Sequence, residues 1–162
     1  MGVSGAGKTT VAKGIAEAMG WLMAEGDSFH PEANVAKMAG GIPLDDEDRW
    51  PWLRAIGTWI DEHRDESAVI TCSALKRSYR DLLRDGRPSV RFCELDADEN
   101  VIGPRISGRH GHYMPASLLP SQLATLEPLQ PDEPGVHVSV AGTPDEAVQS
   151  ALRALDLHPP GS

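Results

Sequence analysis

The sequence predicts an α/β fold with a mainly parallel sheet. Two observations carry that expectation: short apolar runs alternate with segments of helical period along the chain, and the clearest run, Ala68-Val69-Ile70, is continuously apolar. A strand buried on both faces needs such a run, and strands alternating with helices are the pattern of parallel sheets. A third observation bounds the size. With 162 residues and 40% hydrophobic content, the chain buries one good core, so residues 1–162 read as a single domain.

Taken in order, Lys8 to Met19 places Val11, Ile15, Ala18 and Met19 at helical spacing, and Gly20 stands where a helix stops. Trp21 to Ala24 reads as a strand that delivers Glu25 and Asp27, on one strand face, to its C-terminal edge. His30 to Pro51 is polar and punctuated by Pro and Gly, with a helix expected within Ala33 to Ala39. Trp52 to His63 aligns Leu53, Ile56, Ile60 and His63 on one helical face. Ser67 to Ser73 is a strand, Lys76 to Arg84 a helix and Val90 to Leu95 another strand. From Asn100 to Glu127 the composition is helical, yet Pro104, Gly108, Gly111, Pro115 and Pro120 interrupt it, which predicts short helices and a basic loop around Arg105 to His112. Gly135 to Val140 makes a last strand and Pro144 to Leu155 a closing helix.

The formal net charge of -9, from 24 acidic and 15 basic side chains, argues against a nucleic-acid groove or an anionic membrane surface as partner. A small anionic substrate needs only a few local cations and stays compatible. No apolar run approaches the roughly 20 residues of a bilayer span, and the N-terminus lacks a basic and apolar secretion signal, so a cytoplasmic protein is expected. Cys72 and Cys93 are expected to be buried reduced thiols.

Gly2-Val3-Ser4-Gly5-Ala6-Gly7-Lys8-Thr9 fits G-x-x-x-x-G-K-S/T, with Thr10 adjoining it. Glycines let backbone N–H groups curl round phosphates, Lys8 neutralises β and γ oxygens, and Thr9 offers a hydroxyl to Mg2+. The helix that follows adds the positive end of its dipole. The pattern therefore implies ATP and magnesium as ligands. Such a loop normally hangs from a buried apolar strand, and the chain begins one residue before Gly2. The first central strand is thus expected to be missing, at a cost of roughly five buried aliphatic residues worth about 1.5–3 kcal/mol each. Met1 is accordingly expected to be an internal methionine of a longer protein, the rival being a naturally shortened, inactive nucleotide-binding relative.

Further blocks follow: Gly26-Asp27-Ser28-Phe29-His30-Pro31, Asn34, Lys37-Met38, Gly41-Ile42-Pro43-Leu44 and Asp46-Glu47-Asp48-Arg49-Trp50-Pro51-Trp52-Leu53. Later come Cys72-Ser73-Ala74-Leu75-Lys76-Arg77-Ser78-Tyr79-Arg80-Asp81, Gly111-His112-Tyr113-Met114-Pro115 and Ser121-Gln122-Leu123-Ala124-Thr125-Leu126-Glu127. In this order the blocks resemble the thermoresistant-type bacterial gluconate kinases, relatives of shikimate and nucleoside monophosphate kinases. The resemblance runs from Gly2 to about Glu127. It implies a three-layer P-loop NTPase fold like that of nucleoside monophosphate kinases, with the phosphate loop at 2–9, a substrate-binding segment at about 27–53 and a lid at about 103–120. It also implies ATP-dependent phosphorylation of D-gluconate and a homodimer; shikimate kinase is the nearest enzyme alternative.

On that reading Asp27 orients or deprotonates the accepting hydroxyl, and Glu25 matches a carboxylate that related kinases place near Mg2+ through water. Arg49 offers a two-pronged guanidinium to the gluconate carboxylate, unless Asp46 or Asp48 engages it instead. Lys76 and Arg77 follow a strand and are candidates for substrate or γ-phosphate oxygens, with Arg80 a weaker one. Cations at a helix start need a neighbouring anion or solvent. His30 is a candidate for a substrate hydroxyl. His112 belongs to the substrate set, and Arg105 and Arg109 supply lid cations, Arg109 with a catalytic role. His110 and His112 alternate, but no Cys or carboxylate cluster supports zinc there. The resemblance places Gly142-Thr143-Pro144 beside adenine.

Overall fold

The computed structural model describes residues 1–3, 6–96 and 118–160. Helix α1, Lys8–Met19, ends on Gly20, whose φ of 71° is the left-handed stop that glycine permits. Strand β1, Leu22–Glu25, leads into a 3-10 turn at Gly26–Phe29 and then α2, Glu32–Ala39. Helix α3 spans Asp46–Glu62, β2 Ala68–Thr71, α4 Arg77–Arg84 and β3 Phe92–Asp96. After residues 97–117, which lie outside the described residues, come α5, Leu119–Thr125, β4, Gly135–Ser139, and α6, Pro144–Ala154.

Three boundaries depart from expectation. Helix α3 starts at Asp46, six residues ahead of Trp52, because Asp45 and Asp48 form a reciprocal capping box that satisfies the first N–H groups. Pro51, read as a boundary, sits inside the helix. Strand β3 begins at Phe92 and not at Val90, since its ladder partner β4 starts at Gly135 opposite Phe92. Pro120 does not interrupt a helix; it opens α5 in the first turn, where no N–H is needed.

The described strands pair in parallel as β1 with β2 (Leu22 opposite Ala68) and β3 with β4 (Phe92 opposite Gly135). The two pairs are joined through Met1–Val3: the Gly2 N–H donates to the Ser73 carbonyl at 3.2 Å and the Leu95 N–H to the Met1 carbonyl at 2.9 Å. These three residues thus bridge the two strand pairs. Behind them, between β2 and β3, is a cavity of about 710 Å³ lined by Val11, Ile15, Ile56, Val69, Cys93 and Leu95, among others. The Met1 ammonium donates to the Cys93 carbonyl at 2.5 Å beside it, and burial pulls its pKa down to about 6.

Helices α1 and α6 pack on one another, and α3 packs on α4. Val3, Val11, Ile15, Leu53, Ile56, Leu75, Leu95 and Val138 belong to one buried cluster. The amphipathic face expected from Leu53 and Ile56 is real, both being fully buried. Cys72 is buried, with its thiol pKa pushed up to about 11 by burial; Cys93 is only partly buried, and neither forms a disulfide. Among the described residues no helix is long and apolar enough to cross a membrane.

Candidate active site

The glycine-rich turn enters α1 through Gly7, whose φ of 96° is the left-handed conformation an L side chain resists. Lys8 Nζ lies over this turn, donating to the carbonyls of Gly2 at 3.0 Å and Val3 at 3.1 Å. Thr9 Oγ1 donates to Glu25 Oε2 at 3.2 Å, and Thr71 Oγ1 donates to the same oxygen at 2.8 Å. The first turn of α1 and the end of β1 therefore present a hydroxyl and a carboxylate together. That placement suits ligands that collect at the C-terminal edge of parallel strands.

Asp27 is not on β1. The strand stops at Glu25 and Asp27 lies in the 3-10 turn, so the two carboxylates do not share a strand face. The turn brings Gly26 against β2, where any Cβ would drive into the Thr71 carbonyl, so only glycine fits there. Trp52 of α3 donates from Nε1 to the Gly26 carbonyl at 2.7 Å, fixing the turn against α3. Asp27 remains about half exposed, at 55% of its side chain.

His30 follows the turn and is buried, stacked on Trp52 with ring centroids 4.2 Å apart. Its Nδ1 accepts from Asn34 Nδ2 at 3.2 Å, which leaves the proton on Nε2, 4.0 Å from an Asp27 oxygen. Burial, with Arg49 nearby, outweighs the pull of Asp27 and brings the His30 pKa from 6.5 to about 4. The folded pKa lies below the unfolded one, so the stabilising contribution is complete above about pH 6.5 and is lost as pH falls toward 4. Urea denaturation across that window is expected to show wild-type stability falling by at most ~1.4 kcal/mol per pH unit from this group. His30→Phe, which keeps the stacking, is expected to flatten the slope; an unchanged slope refutes the assignment.

Arg49 is buried, and its partner is neither Asp46 nor Asp48. Nη1 donates to Tyr79 Oη at 2.8 Å, and the guanidinium lies 5.5 Å from the Tyr79 ring centre. Tyr79 in turn donates to Asp46 Oδ1 at 2.5 Å, and Lys76 Nζ donates to the same oxygen at 3.0 Å. The tyrosine hydroxyl, then the lysine, hold the Asp46 carboxyl below its ordinary range, and Asp46 raises the Lys76 pKa. Lys76 caps α4 at its unfavourable end, and Asp46 is the compensating anion. Arg49, Tyr79, Asp46 and Lys76 form one chain of polar contacts beside the Gly26–Phe29 turn. Asp48, meanwhile, pairs with Lys37 at 2.8 Å.

Two other candidates are committed elsewhere. Arg77 holds Asp132 through both guanidinium nitrogens, at 2.9 and 2.8 Å. Arg80 is fully buried, doubly bonded to Glu133 at 2.7 and 3.0 Å, and donates to the Ala74 carbonyl. Both tie α4 to the 128–133 segment. Thr143 caps α6 with Glu146 in a capping box. Ser4, Gly5, Arg105, Arg109, His110 and His112 lie outside the described residues. Tyr79 and Asp46 were not singled out as site residues from the sequence, although both sit in its family-like blocks. The large cavity between β2 and β3 is lined by Lys8 but by none of Asp27, His30, Arg49 or Lys76, and is a separate feature.

No family model matches the chain. It is 50% identical over 155 residues to a gluconokinase of Gluconobacter oxydans, covering 94% of this chain and 87% of that protein. It is 41% identical over 150 residues to the thermoresistant gluconokinase of Escherichia coli, covering 91% and 86%. An unliganded sugar kinase from Janibacter sp. HTCC2649 superposes with a TM-score of 0.91 at 55% identity, over 98% of this chain and 93% of that one. Identity at this level across nearly the whole length, on top of the glycine-rich turn and the Thr9–Glu25 pair, shows that the chain belongs to the gluconokinase family of P-loop kinases.

Proposed function

We propose that the protein transfers the γ-phosphoryl group of ATP to D-gluconate, giving ADP and 6-phospho-D-gluconate. Beyond family membership, one observation supports the reading: the Thr9–Glu25 pair, the Asp27 turn and the Arg49–Tyr79–Asp46–Lys76 chain are assembled by adjoining elements. Phosphoryl transfer is mainly positioning and electrostatics, and these groups supply both.

Backbone N–H groups of the glycine-rich turn and Lys8 hold the phosphates, Lys8 exchanging the carbonyls of Gly2 and Val3 for phosphate oxygens. Asp27, half exposed and next to the Nε2 side of His30, orients the accepting hydroxyl and takes its proton. Arg49 and Lys76 face the sugar-acid carboxylate, with Tyr79 and Asp46 fixing their positions. Thr9 and Glu25, hard oxygen donors 3.2 Å apart, would hold Mg2+, Glu25 through water. Bound there, the ion neutralises phosphate charge. Arg105, Arg109 and His112 keep, by family resemblance alone, their roles over ATP and gluconate. The same resemblance assigns a homodimer, which sedimentation tests; the cytoplasmic location rests on the short apolar runs and the N-terminal composition.

A coupled ADP-release assay with D-gluconate, its epimers, shikimate and nucleotides as acceptors decides the substrate. Gluconate is expected to be turned over best; equal or faster turnover of another acceptor overturns the assignment. ATP binding by calorimetry without transfer to any acceptor supports the inactive nucleotide-binding alternative. Arg49→Ala is expected to raise the gluconate KM about tenfold, the scale of one charged hydrogen bond, with a smaller change in kcat. Arg49→Lys, which keeps the charge and loses the fork, is expected to fall between the two. An unchanged KM in both removes Arg49 from the site.

A further inference from the structure

Glu94 lies in the middle of β3 with its side chain 1% exposed, and its carboxylate is shared between His137 and Asp96 beside it. A buried carboxylate in that state is costly unless a cation or a proton answers it. What faces it is a nitrogen and a second carboxylate. His137, opposite Glu94 in the β3–β4 ladder, places Nδ1 2.6 Å from Glu94 Oε2. Asp96, two residues on and on the same strand face, places its two oxygens 3.2 and 3.1 Å from that Nδ1. One ligand atom from each of the three residues falls within 4.8 Å of the others.

The imidazole is oriented from behind, Nε2 lying 3.4 Å from the Leu129 carbonyl. A proton on Nε2 donated to that carbonyl leaves Nδ1 as the atom facing the two carboxylates, where it carries a proton shared with them until a metal ion displaces that proton and takes Nδ1 as a ligand. Asp96 and His137 are 51% and 45% exposed, so the cluster is open to ions on one side and closed by Glu94 on the other. Imidazole with two carboxylates is a donor set for a late first-row divalent ion and a poor one for magnesium.

We infer that Glu94, Asp96 and His137 form a divalent-metal site of the zinc class, separate from the phosphate site, which clamps β3 to β4. Three protein ligands leave a further position for water. The site neutralises the buried Glu94 carboxylate and is a structural addition to the reaction proposed above, on which it does not depend.

The test uses the full chain without nucleotide or magnesium. Zn2+ titrated by calorimetry is expected to bind one ion at this cluster and raise the melting temperature, and Co2+ to develop a visible d–d absorption band. His137→Ala and Asp96→Asn, both at half-exposed positions, are expected to fold and to weaken Zn2+ binding at least about tenfold, the scale felt on loss of even an outer-shell partner. His137→Ala is also expected to alter the Co2+ band. Absence of Zn2+ binding in the wild type, or unchanged affinity in either variant, overturns the site and leaves a proton shared among the three groups as the answer to Glu94.

Discussion

Lys8→Ala is expected to lower kcat by at least about a hundredfold, the scale for removing one preorganised charge-stabilising donor from an active site. The structure shows why nothing nearby substitutes. Lys8 is the first residue of α1, and its Nζ already lies over the glycine-rich turn, bonded to the carbonyls of Gly2 and Val3. Those two carbonyl contacts come from a charged donor and are each worth about 1.5–3 kcal/mol in net stability, so the variant is expected to fold, though with lower stability. The loss then belongs to the transition state, where charge grows on the transferring group. Steady-state kinetics at saturating ATP and gluconate, with a thermal melt to verify folding, measure it. A kcat within a few-fold of wild type would show that the turn does not grip the transferring phosphate.

The second large effect concerns stability. Extending the chain ahead of Met1 by five Val and Ile residues is expected to raise the melting temperature by about 10 °C. The cavity between β2 and β3 is bounded by Met1, Val11, Ile15, Ile56, Val69 and Cys93, and Gly2 bonds to Ser73 beyond β2 while Met1 itself bonds to Leu95 of β3. Five buried aliphatic side chains contribute about 1.5–3 kcal/mol each, offset by about 1–2 kcal/mol per residue of backbone ordering. The remainder is about 3 kcal/mol, and each kcal/mol moves the midpoint of a domain this size by roughly 2–4 °C. Replacing the Met1 ammonium, whose pKa burial has pulled to about 6, by a peptide N–H acts in the same direction. A matched extension of Ser and Asp residues is the control. Equal melting temperatures for the two extensions would show that the cavity does not accept a strand.

Much of the fold was legible because its signals are local. The glycine-rich turn, the period of α1 and its Gly20 stop are contained within neighbouring residues, and the helix runs from Lys8 to Met19 as expected. Two local signals compete at the start of α3: Pro51 suggests a boundary, whereas the Asp45–Asp48 capping box marks the true one. Strand β3 shifted by two residues because a strand's ends depend on its ladder partner, and Gly135 is far along the chain from Phe92. Likewise, Asp27 lies beyond the strand in a turn whose Gly26 packs against the Thr71 carbonyl, a contact absent from local spacing.

By itself, then, the sequence determined the α/β class, the phosphate loop and, through its ordered blocks, the kinase family; these rest on backbone preferences and residue types at short spacing. Only the tertiary structure decided which charges meet. Lys76 and Tyr79 reach Asp46 across 30 and 33 residues, Arg80 spends its charge on Glu133 across 53, and Glu94 faces His137 across the β3–β4 ladder. The physical reason is that a charged side chain has no intrinsic partner. Burial raises the cost of leaving it alone, and packing of distant elements chooses which neighbour answers it.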